Sequence, residues 1–132
     1  MIDMLKAAVE EVGPLTIERV KYNDPTLVLQ GEGWSLALTC PWQITDGRSR
    51  LYSWDDPDVA NQVPSLLGHV ISEVRERSQD APYDPAFVMS GSLVLQISAD
   101  SDLDPWVLLL PGRTFVGLGP EGGGSLKPLI GR

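Results

Sequence analysis

Two stretches, "NDPTLVLQG" (Asn23 to Gly31) and "YDPAFVMSG" (Tyr83 to Gly91), share Asp-Pro, five residues and then Gly. Their offset is 60, from Asp24 to Asp84. The echo extends both ways. Upstream lie "GPLTIERV" (Gly13 to Val20) and "GHVISEV" (Gly68 to Val74). Downstream, "WSLALT" (Trp34 to Thr39) answers "LVLQIS" (Leu93 to Ser98), and "CPWQITDGR" (Cys40 to Arg48) answers "DPWVLLLPGR" (Asp104 to Arg113). A single Asp-Pro means nothing, but an ordered series of matches reads as a duplicated unit, with pseudo-repeats over about 13–54 and 68–118.

Each unit reads as strands. Leu27–Leu29 and Phe87–Met89 are short apolar runs bounded by Pro and Gly. Leu36 and Leu38 alternate with Ala37 and Thr39 at the period of a half-buried strand. "TDGR" and "LPGR" carry the glycine that a tight turn needs for positive φ. The expected strands are 15–22, 26–30, 34–39, 42–45 and 48–53, then 69–77, 86–90, 92–98, 106–110 and 114–118. The expected fold is mainly β (α+β): two duplicated antiparallel meanders of about five strands, packed as a sandwich or barrel, with an N-terminal helix. Ile2, Leu5, Val9 and Val12 place that helix's apolar face, and Gly13-Pro14 ends it. A brief helix is expected near 58–67, capped by Asp58 and limited by Pro64. Residues 1–118 read as one domain, and 119–132 as a Gly-rich flexible tail. A ligand would favour the groove between the two halves.

The 132 residues are 42% hydrophobic, enough for a core without staples. No apolar run approaches the ~20 residues of a membrane span, and the N-terminus lacks the basic and apolar regions of a secretory signal. One cysteine, Cys40, allows no internal disulfide. A cytoplasmic protein is the expectation. The net charge of -8 argues against nucleic acid and anionic membranes, and allows a basic protein or a cation as partner. A homodimer is the other partner considered.

The segments "GEGWSLALTCPWQITDG", "DDPD" and "DPWVLLLPGRTFVGLGPEGG" resemble a family of small, mostly actinobacterial proteins with a duplicated Pro-Trp strand motif and no established activity. Some of its members are similar to immunity or accessory proteins of toxin systems. The resemblance spans most of the chain and implies a binding role, without a mechanism.

The candidate site residues are Trp54, Asp55, Asp56, Asp58, Asp100, Asp102 and Asp104. Trp54 stands where a strand gives way to acids, the setting of an interface anchor, although packing is the commoner fate of an indole. Asp56-Pro57-Asp58 also reads as a turn plus helix cap. Asp100, Asp102 and Asp104 lack the Gly and Glu of a calcium loop, since those positions hold Pro105 and Pro111. They read as an inserted polar loop that contacts a partner electrostatically.

Trp42 and Trp106 occupy matching positions after proline and read as core. Cys40 reads as a buried thiol. His69 is the one histidine, and "SGS" at Ser90–Ser92 lacks a nucleophile-elbow context. "GPEGGG" lacks the Lys-Ser/Thr of a phosphate loop. Neither catalysis nor a cofactor is expected. The functional reading is a protein-binding module with an acidic contact surface. The alternatives are a small-ligand protein or enzyme using the inter-half groove, and a self-associating structural protein.

Overall fold

A computed structural model of the chain describes residues 2–78, 81–98, 106–117 and 127–130. Helix α1 (Ile2–Val12) buries Ile2, Leu5, Ala8 and Val9. Val12, expected on that face, is 41% exposed. It is the last helical residue, and Gly13 turns the chain away with φ 94°.

The strands of the first half are β1 (Leu15–Thr16), β2 (Arg19–Asn23), β3 (Thr26–Gly31), β4 (Trp34–Leu38), β5 (Trp42–Thr45) and β6 (Arg50–Ser53). Then come α2 (Val59–Gln62) and a single 3₁₀ turn (Val63–Leu66) with Pro64 near its start. The second half holds β7 (Val70–Ser78), β8 (Ala81–Met89), β9 (Val94–Ile97), β10 (Trp106–Leu110), β11 (Arg113–Val116) and β12 (Lys127–Ile130). β12 pairs with β11. Within the stretch read as a tail, residues 127–130 are therefore an edge strand and not a free end.

All strand pairings among the described residues are antiparallel, and they form two open sheets, ordered β1-β7-β8-β9-β5-β6 and β12-β11-β10-β4-β3-β2. Neither closes on itself, so the fold is a sandwich and not a barrel. Alternation along β3, β4, β5, β9 and β10 aims Leu27, Leu29, Leu36, Ile44, Leu95 and Leu108 into one shared core. Cys40 is buried in that core, as are Trp42 and Trp106.

The halves do not form one sheet each. β2-β3-β4 begins one sheet, then β5-β6 crosses to the other. β7-β8-β9 begins that other sheet, and β10-β11 crosses back. Each crossing pair docks on the third strand of the opposite half, in matched register. Trp42 faces Ile97, and Trp106 faces Leu38. The hairpins that follow turn at Gly47 (φ 93°) and Gly112 (φ 75°). Each then closes by an amide donating to the tryptophan carbonyl, Trp54 to Trp42 at 3.0 Å and Gly117 to Trp106 at 2.8 Å.

The helices are exchanged as well. α1 packs on β7 and β8, and the 3₁₀ turn packs on β2. With the halves interleaved, their interface is the core itself. The groove expected between them is filled by Leu36, Leu38, Leu95 and Ile97.

One feature of the echo is displaced. Leu29 faces Leu36 and Phe87 faces Leu95, so β3 and β8 correspond at an offset of 58 (Leu29 to Phe87) and not 60. Asp24-Pro25 forms the β2–β3 turn, whereas Pro85 lies inside β8 opposite Glu76. A slip of two residues keeps every side chain on its own face, which is why the apolar patterns still align.

Candidate functional site

The corner after β6 carries the first acid cluster. Trp54 is 39% exposed, whereas Trp34, Trp42 and Trp106 are buried. Ser53 organises the two acids beside it. Its amide donates to Asp56 Oδ2 (2.9 Å) and its hydroxyl donates to Asp55 Oδ1 (2.6 Å). Arg50 Nη1 in turn donates to Ser53 Oγ (3.0 Å). The Ser53 hydroxyl, then the backbone amide of Asp55 itself and last the charge of Arg50, hold the Asp55 carboxyl below its usual range. A depressed folded pKa means the bonded, ionised state is complete above the ordinary carboxylate range and is lost as pH falls through the lower folded value. Ser53→Ala should therefore move the Asp55 pKa upward toward that of an isolated aspartate. Carboxyl-carbon NMR titration reads this directly, and an unchanged value would remove Ser53 as the cause.

Tyr22 and Asp24 come to the same corner from the β2–β3 hairpin. Tyr22 OH donates to Asp24 Oδ1 at 3.1 Å. Burial, together with this carboxylate, pushes the phenol's pKa up. Tyr22, Asp24, Trp54, Asp55, Asp56 and Val59 line one open hollow of about 400 Å³. Its rim is acidic, and its wall is an indole and a phenol ring.

Asp58 stands apart. It was expected to cap α2, yet its side chain makes no cap bond and accepts from Asn61 Nδ2 at 2.8 Å. The reason lies in its backbone, whose φ of -103° and ψ of 12° are not those of an N-cap in the β region. Asp100, Asp102 and Asp104 lie outside the described residues. Tyr22 and Asp24 carry no local signal of their own. The one clue was the Asp-Pro turn, which places a short hairpin end somewhere on the surface.

His69 and Ser90 meet at the start of β7. His69 Nδ1 lies 3.0 Å from the Ser90 carbonyl oxygen and 3.1 Å from its hydroxyl. With the proton on Nδ1 the ring donates to the Ser90 carbonyl oxygen, and with the proton on Nε2 the Ser90 hydroxyl donates to Nδ1. Ser90 Oγ also accepts from the Val70 amide at 3.0 Å. The pair pins the β8–β9 turn to the start of β7. Among the described residues, no group of three His, Cys, Asp or Glu side chains could hold a metal ion. No helix among them is long and apolar enough to cross a membrane.

The outer face of the first sheet carries a second hollow, of about 360 Å³, with the opposite character. Arg48, Arg50 and Arg75 line it, with Glu76 as its acid and Gln43 and Gln96 among its lining. Comparison with known proteins found no matching family, curated protein or solved structure.

Proposed function

We propose that the chain is a cytoplasmic protein-binding module whose acidic, aromatic hollow engages a basic side chain cluster of a partner protein. The observation that carries this reading is the convergence of Trp54, Asp55 and Asp56 with Tyr22 and Asp24 around one open hollow. An exposed indole beside carboxylates offers a lysine or arginine both a charged partner and a ring face. The net charge of -8 attracts such a partner from a distance. An immunity or accessory factor that covers a basic surface would use such a device. Asp100, Asp102 and Asp104 belong to the same proposal as further steering charges.

A short lysine-rich peptide is a direct probe. Trp54 is the exposed tryptophan among the four in the sequence, so its fluorescence should respond on titration. Asp55→Asn with Asp56→Asn keeps the shape and one acceptor oxygen on each side chain while removing two charges. The double variant should fold as wild type and bind about tenfold more weakly, a change of about 1.4 kcal/mol. Its affinity should also fall less steeply as salt shortens the Debye length to ~8–10 Å. A peptide that binds both forms equally, or leaves Trp54 unperturbed, would sink the proposal.

A further inference from the structure

We infer that the outer face of the first sheet is a second binding surface, one that takes an extended acidic peptide segment. The surface is set by strand register. Arg75 faces Ala86, Ala86 faces Gln96, Gln96 faces Gln43, and Gln43 faces Ser53. Five neighbouring strands thus present one row of side chains. At about 4.8 Å per strand the row runs roughly 19 Å, the length of five or six extended residues.

Cations stand at both ends of this row. Arg75 is at one end, and Arg50, bonded to Ser53 Oγ, is at the other. Arg48 joins Arg50 on the β5–β6 turn. That turn is held by Asp46, whose Oδ1 accepts from the Arg48 and Ser49 amides, each at 2.9 Å. Among the described residues neither Arg48 nor Arg75 is in an ion pair. The small Ala86 leaves the row recessed beside its middle.

There Gln43 Nε2 donates to Gln96 Oε1 at 2.6 Å. One amide oxygen and one amide NH₂ are left over, the complement of a peptide group. Three arginines against Glu76 make this hollow cationic in a chain that carries 18 acids and 10 bases. A lone small anion reaches one end of the row and still meets the chain's overall repulsion. A segment with several carboxylates satisfies both ends at once, with bidentate pairing at the guanidinium groups.

The test is separable from that of the acidic hollow, because its probe has the opposite charge. A blocked hexaglutamate peptide is titrated into isotope-labelled full chain at low salt and followed by NMR. Saturable shifts are expected at Gln43, Gly47, Ala86 and Gln96. Arg48→Gln with Arg75→Gln changes two exposed side chains, and folding is checked by the unchanged spectrum elsewhere. This variant should bind at least tenfold more weakly. Asp55→Asn with Asp56→Asn should bind no more weakly than wild type. Absence of saturable shifts, equal affinity in the arginine variant, or the same shifts and affinity with inorganic phosphate alone would overturn the inference. The phosphate outcome would reduce the surface to a simple anion site.

Discussion

Trp106→Ala is expected to cost about 3–5 kcal/mol of folding stability, the usual range for emptying a large aromatic from a core. The indole is 1% exposed and meets the Phe87 ring edge-on, with centroids 6.5 Å apart. It also sits where β10 joins β4, the contact that ties the second half into the first half's sheet. The loss therefore combines a cavity with a weakened junction between the halves. Chemical denaturation with tryptophan-independent detection measures it. Trp54→Ala, at an exposed position, should stay within about 0.5 kcal/mol. If Trp106→Ala keeps its unfolding midpoint, the core assignment fails and Trp106 belongs to a surface.

Gly31→Ala is expected to cost about 3 kcal/mol, the upper part of the range for overpacking a core. A Cβ on Gly31 would collide with the Trp34 indole and with the Thr16 carbonyl oxygen. These two groups bond to each other, with Trp34 Nε1 donating to Thr16 O at 3.2 Å. The added methyl must displace the indole, which overpacks the core and breaks the bond together. Neither neighbour is the loose end of a flexible side chain, since one is backbone and the other is a ring 6% exposed. Equilibrium unfolding of Gly31→Ala beside Gly47→Ala separates this cause from backbone strain. Gly47 has nothing within 4 Å of a new Cβ and would lose only its positive-φ freedom (φ 93°). Equal losses at the two sites would refute the close-approach explanation.

The two surfaces make a joint prediction about salt. The acidic hollow and the arginine row both act through exposed charges, so ionic strength should weaken lysine-peptide and glutamate-peptide binding alike. The stability of the fold should barely change, because the core is apolar. The exposed pairs Lys6–Glu73 (3.7 Å) and Arg113–Glu11 (3.4 Å) contribute little in water.

Alternation, Pro and Gly in the sequence were enough to give most strands, the first helix, the tight turns at Gly47 and Gly112, and the burial of Trp42 and Trp106. These are local matters, since a period of two and a need for positive φ are written in neighbouring residues. Trp54, Asp55 and Asp56 were legible as a cluster for the same reason. Tertiary structure alone decided which strands pair. Nothing local tells β5 to leave its own half and lie against β9, because any apolar-faced strand satisfies its pattern equally. The echo could not reveal its own two-residue slip, since the slip preserves every face. The packing of the two sheets brought Tyr22 and Asp24, on the β2 side of one, to Trp54, just after β6 of the other, and pairing across distant strands set Arg75 in line with Gln96, Gln43 and Ser53. These residues are scattered in the chain, and only the packing of the sheets and the register within them put them side by side.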